Sequence, residues 1–118
     1  MEQRQGFITD LQEMLASNRR DRFAYAEPAS KDKEALRLCY QVWLSFWRDL
    51  LLRSADPSLP VVNLDFEDVI HDLAPRVGLA QARARVSDLE KALARLDSNL
   101  NARLLTEVVL LDWPFITL

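Results

Sequence analysis

A chain of 118 residues, 49% hydrophobic and 28% charged, has the make-up of one soluble globular domain able to bury about two-thirds of its unfolded surface. The net charge is −3 and the fifteen basic residues are scattered rather than striped, which argues against a stand-alone nucleic-acid binder. Two glycines are too few for the turns of hairpins and barrels, and abundant Ala, Leu, Arg and Glu point to helices.

Five or six helical segments follow from apolar spacing. The first runs from about Glu2 to Ser17, with Phe7, Leu11 and Met14/Leu15 on one face. A turn near Asn18 leads to a shorter segment carrying Phe23 and Tyr25, and Pro28 ends or starts an element there. The cluster Arg19-Arg20-Asp21-Arg22 is broken by an acid and reads as a solvated helix end.

The third helix, about Lys31 to Arg53, is the longest. Its apolar positions from Leu36 to Leu51 cover an arc of roughly 200° at 100° per residue, so it is expected to be central and touched from two directions. Asp49 and Arg53 are spaced as an i,i+4 pair. Ala55-Asp56-Pro57-Ser58-Leu59-Pro60 is the clearest loop. Beyond it, Asp65 reads as an N-cap with Asp68 at N3, and Leu64 and Val69 sit at hydrophobic-staple positions. Phe66, Val69, Ile70 and Leu73 form the inward face of a fourth helix, expected to end before Pro75 and Gly78.

The fifth helix, about Leu79 to Asp97, has a stripe of Ala82, Val86, Leu89, Leu93 and Leu96, which is the seam of a bundle helix. Asp97-Ser98-Asn99 breaks it, and Asn101 caps the last helix. There Leu104, Leu105, Val108, Val109 and Leu111 read as the buried side, while Leu110 falls among Arg103, Thr106 and Glu107 on the wet side. The ending from Asp112 to Leu118 is apolar enough either to pack back on the bundle or to mediate a contact. The fold class is therefore all-α, a compact bundle of five to six helices. It forms a single domain over 1–118, with N-terminal segments 1–30, core helices 31–113 and a tail 114–118.

Little in the chain carries chemistry. With Gly6 and Gly78 alone there is no glycine-rich phosphate cradle. The single Cys39 excludes an internal disulfide, and with His71 as the one histidine it leaves no zinc-type set. Cys39 reads as a core filler. Asp65, Asp68, His71 and Asp72 share a short helix, but they are also its solvent face, and no second carboxylate pair faces them as a magnesium-dependent nucleotide hydrolase would need. Trp43, Phe46 and Trp47 at i, i+3, i+4 on the widest apolar helix are core rather than a base-stacking platform. The chain lacks an apolar run of about 18 residues and a signal-peptide core after Met1, so a cytoplasmic protein with no membrane contact is the expectation.

Two runs carry a resemblance to a known family. The first is Trp43-Leu44-Ser45-Phe46-Trp47-Arg48-Asp49-Leu50-Leu51-Leu52, and the second is Asn99-Leu100-Asn101-Ala102-Arg103-Leu104-Leu105-Thr106-Glu107-Val108-Val109-Leu110-Leu111. In this order and separation they resemble the C-terminal helical domain of bacterial DNA polymerase III clamp-loader subunits, most of all the delta-prime type. That family has a tryptophan-rich helix ending in Arg-Asp-Leu-Leu, then Asn-x-Asn-x-x-Leu opening a leucine-rich helix. The resemblance covers most of residues 20–113. It departs at Ala102, where relatives use proline, and in the apolar ending.

The resemblance implies a clamp-loader collar-type fold and a non-catalytic oligomerisation domain supporting sliding-clamp loading in DNA replication. The parent complex is a DNA-directed DNA polymerase. The implied partners are the gamma/tau and delta subunits, met through the collar, with no cofactor, no small-molecule substrate and no direct nucleic-acid contact. The delta-prime type is favoured over gamma/tau because the chain stops soon after the last helix. The motif positions, as interface or motif candidates, are Trp43, Trp47, Arg48, Asp49, Asn99, Asn101, Arg103, Leu104 and Glu107, to which the helix geometry adds Leu110. A generic helical adaptor is the rival reading, and a small nucleotide hydrolase a more distant one.

Overall fold

The computed structural model describes residues 2–98 and 101–117, which form six α-helices and one short 3₁₀ turn. They are α1 (Glu2–Leu15), α2 (Arg19–Ala29), α3 (Lys33–Ala55), α4 (Glu67–Val77), α5 (Leu79–Arg95) and α6 (Ala102–Leu111), with the 3₁₀ turn at Leu64–Phe66 before α4. Three helices start on side-chain caps. Asn18 accepts from Asp21 N at 2.8 Å, Asp32 accepts from Glu34 N and Ala35 N at 3.1 Å each, and Asn101 accepts from Leu104 N at 2.9 Å.

The long helix α3 is the axis, packed against α1, α4 and α5, while α2 pairs with α6 and α5 also meets α6. Its wide apolar arc is therefore consumed inside the domain. Tyr40, Trp43, Phe46, Trp47 and Leu50 are fully buried, and α1 adds Ile8, Leu11 and Leu15 to the same core. Cys39 is buried there as a core filler. Burial of this order is worth about 1.5–3 kcal/mol per large side chain, so α3 organises the fold.

Pro28 does mark the end of an element, α2, whereas the stop expected before Pro75 is corrected. Pro28 lies within the last turn of α2, and Pro75 lies inside α4, which runs on to Val77. Each proline forfeits one backbone bond, but the turn after Pro75 is held by burial of Ala74 and Val77. Ser54 Oγ also donates to the Ala74 carbonyl at 3.0 Å. Gly78 then takes φ +85, a left-handed value that glycine adopts without strain, and α5 begins at once.

Asp65 is not the cap it resembled. It lies in the 3₁₀ turn, and its two carboxylate oxygens accept from the Arg4 guanidinium of α1 at 2.9 Å each. That pairing holds Asp65 below the usual carboxylate range. Asp49 and Arg53 likewise do not pair along α3. Arg53 reaches Glu67 at 2.6 Å, and Asp49 is buried under the loop that leads to α4.

The tail packs back on the bundle. Trp113 is buried with its ring edge-on to Trp43 at 4.9 Å and Trp47 at 5.4 Å. Ile116 N donates to Leu15 O at 2.8 Å. The buried Arg22 clamps it: Nε donates to Met14 O at 2.7 Å, Nη1 to Trp113 O at 2.6 Å and Nη2 to Pro114 O at 2.8 Å. Arg85 and Arg76 donate to the Asp112 and Thr117 carbonyls. Arg22 is thus not a solvated helix end. Its guanidinium satisfies the carbonyls left open at the C-terminus of α1 and those of the tail, and burial lowers its pKa.

Candidate subunit interface

The last helix is rotated relative to the sequence expectation. Leu105, Thr106, Val109 and Leu110 face inward, while Leu104 (54% exposed), Val108 (56%) and Leu111 (39%) face out. Hydrophobicity alone favours the opposite choice, because Thr106 is polar. The fold resolves this with hydrogen bonds. Thr106 Oγ1 donates to Ala102 O at 2.9 Å and meets the Tyr40 hydroxyl at 2.6 Å, so a satisfied hydroxyl occupies the core side. Leu110, expected on the wet side, is fully buried under α2 and the tail.

The outward residues Leu104, Val108 and Leu111 are spaced i, i+4, i+7 and form a continuous apolar stripe on a helix capped by Asn101. Phe115, 66% exposed, stands just beyond it on the clamped tail. Beside the stripe, a shallow groove of about 100 Å³ runs between α5 and α6, lined by Asp88, Lys91, Ala92, Arg95, Val108 and Asp112 among others. Arg103 and Glu107 edge the helix as an i,i+4 ion pair at 3.2 Å.

The candidate residues thus divide. Arg103, Leu104 and Glu107 belong to α6, with Leu104 exposed on the stripe and Arg103 and Glu107 paired at its edge; Arg48 is exposed on α3, paired with Glu90 of α5 at 3.0 Å. Trp43, Trp47 and Leu110 are fully buried, so none of them presents a surface to another molecule. Trp43 Nε1 donates to the Phe7 carbonyl at 2.8 Å, tying α3 to α1. Asp49 ties α3 to the loop before α4, not to the last helix. Its carboxylate accepts from Val62 N and Asn63 N at 2.9 Å each and from Asn63 Nδ2 at 2.7 Å. Asn101 serves as a cap, and Asn99 lies outside the described residues. Val108 and Leu111, exposed beside Leu104, and Lys91 and Arg95, which line the groove, are not among the candidates read from the sequence. The i, i+4, i+7 spacing that marks Val108 and Leu111 is the same signal that suggested burial.

A hollow of about 290 Å³ between α1, α2 and α3 is lined by Phe7, Tyr25, Leu36 and Cys39 among others. It offers poor chemistry. Burial raises the Cys39 thiol and the Tyr25 phenol well above their ordinary values, keeping both protonated near neutrality. No group of three His, Cys, Asp or Glu side chains converges among the described residues, and Asp65 is already engaged by Arg4. No described helix is long and apolar enough to cross a membrane.

No curated protein and no solved structure matches the chain. The family model described as DNA polymerase III, delta subunit, C terminal, matches residues 1–114, which spans the six helices and the start of the tail. The chain belongs to that family, as a C-terminal helical domain of a DNA polymerase III clamp-loader subunit.

Proposed function

We propose that this chain is the oligomerisation (collar) domain of a delta-prime-type clamp-loader subunit. It is a non-catalytic scaffold that meets gamma/tau and delta subunits in the cytoplasm of a bacterium and so supports sliding-clamp loading. The observation that carries the reading is the outer face of α6, where Leu104, Val108 and Leu111 lie exposed on a helix whose other side is locked into the core. A monomeric domain gains nothing from displaying such a stripe, whereas burying it between subunits yields the hydrophobic term that drives association. The Trp43/Trp47 face of α3 adds no surface to this, because the domain covers it itself.

The mechanism is passive. A rigid bundle presents one apolar face, and whatever interface burial exceeds the entropy of association keeps neighbouring subunits together. Arg103, Leu104 and Glu107 are the motif residues assigned to that contact. Trp43, Trp47, Asp49 and Asn101 act by holding the bundle in shape. The delta-prime assignment rests on the motif resemblance.

Size-exclusion chromatography of the chain with purified gamma/tau and delta from the same organism tests the reading. Co-elution with gamma/tau, without displacement of delta, is the expected result. Separate elution of the chain, or magnesium-dependent nucleotide turnover by it, would contradict it.

A further inference from the structure

The groove beside the apolar stripe has an electrical direction. α5 and α6 run antiparallel, joined by residues 96–101 at one end and tied by the Arg85 bond to the Asp112 carbonyl at the other. Along the wall of α5 the order is therefore Asp88 near the Asp112 end, then Lys91, then Arg95 near the start of α6. One end of the groove is acidic and the other basic. The side chains of Lys91, Arg95 and Asp112 make no ion pair among the described residues, while Asp88 is engaged by Arg85 at 3.2 Å.

Resting on the collar reading, we propose that this groove seats one amphipathic helix of a neighbouring clamp-loader subunit, running antiparallel to α6. Two antiparallel helices with a stripe at i, i+4, i+7 leave a channel that fits the ridge of a third helix. A helix N-terminus carries partial positive charge and its C-terminus partial negative charge. The favoured seating therefore points the incoming N-terminus at Asp112 and Asp88 and brings the C-terminal end, with acidic side chains, to Lys91 and Arg95. Its apolar residues cover Leu104, Val108 and Leu111. At about 100 Å³ the groove is too shallow for a drug-sized ligand, which needs roughly 300 Å³ or more. Its mixed charge is equally unsuited to a phosphate backbone.

The test is a binding titration of purified gamma/tau against the whole chain and its variants at low and high salt, each variant first checked by thermal melting. Val108→Asp is expected to weaken binding by about tenfold or more. The double reversal Lys91→Glu/Arg95→Glu is expected to weaken it by about fivefold at low salt, with the loss shrinking as salt rises. Lys33→Glu, at the start of α3, leaves it unchanged. If wild type binds and the Lys91→Glu/Arg95→Glu reversal binds equally well at low salt, the seating is wrong while the collar reading stands. If wild type does not bind gamma/tau at all, both fall. Self-association of the chain that is abolished by Val108→Asp would instead assign the groove to a second copy and overturn the proposal.

Discussion

The hydroxyls of Tyr40 and Thr106 meet at 2.6 Å inside the bundle, joining the central helix to the last one. Because Thr106 donates to the Ala102 carbonyl, the Tyr40 phenol is the donor in this contact. The pair fixes which side of α6 is buried, and thereby which side is exposed. Thr106→Val leaves the buried Tyr40 hydroxyl without an acceptor and is expected to cost about 1–3 kcal/mol, while Tyr40→Phe/Thr106→Val together cost less than the sum of the two single changes. Denaturant melts of the four proteins in the cycle measure this; strict additivity would mean the contact has no energetic role.

Arg22 and Trp113 make the tail a structural element. Arg22→Met removes the donors from the Met14, Trp113 and Pro114 carbonyls and is expected to destabilise the domain by about 3 kcal/mol. Trp113→Ala, which opens a cavity against Trp43 and Trp47, is expected to cost about 3–5 kcal/mol. Equilibrium unfolding checks both, and near-wild-type stability of either variant would show the tail to be dispensable.

Neighbouring residues of the tryptophan-rich motif should behave oppositely. Asp49→Ala strands the buried backbone N–H of Asn63, frees the part-buried N–H of Val62, and is expected to cost about 3 kcal/mol. Arg48→Ala removes an exposed pair with Glu90 and is expected to cost less than about 0.5 kcal/mol. Comparable losses in thermal melts would contradict the placement of these side chains.

The two tyrosines give a pH signature. Burial pushes Tyr40 up to about 12 from 10 and raises Tyr25 too, so the folded state holds both protons more tightly than the unfolded chain. The resulting stabilisation is complete below pH 10 and is lost as pH rises from about 10 through 12. Tyrosinate absorbance should therefore show no titration at 10 and should appear together with alkaline unfolding. A phenol ionising near 10 in the native fold would contradict this.

The sequence made some of this legible, because helical periodicity is a local property. The helices around Leu11, Trp43, Leu89 and Leu105 follow from 3.6-residue spacing, and Asn101 was readable as a cap from its position alone. The errors share one cause: each depended on a partner distant in the chain. Asp65 looked like a cap until Arg4 of α1 claimed it. Pro75 looked like a stop until Ser54 and the burial of Val77 held the next turn. Leu110 looked exposed because nothing in its own helix reveals that Tyr40 lies opposite Thr106. For the candidate interface, the motif named residues of α6, but which of its faces is exposed could be read only once Thr106 had been placed inside.

Amide hydrogen exchange of the chain, free and bound to gamma/tau, tests the outer face of α6 most directly. The account predicts added protection across 102–111 and over the stretch of α5 that carries Lys91 and Arg95, with little change in α1 and α4. Protection confined to α1 or α4, leaving α6 exchanging as in the free chain, would contradict it.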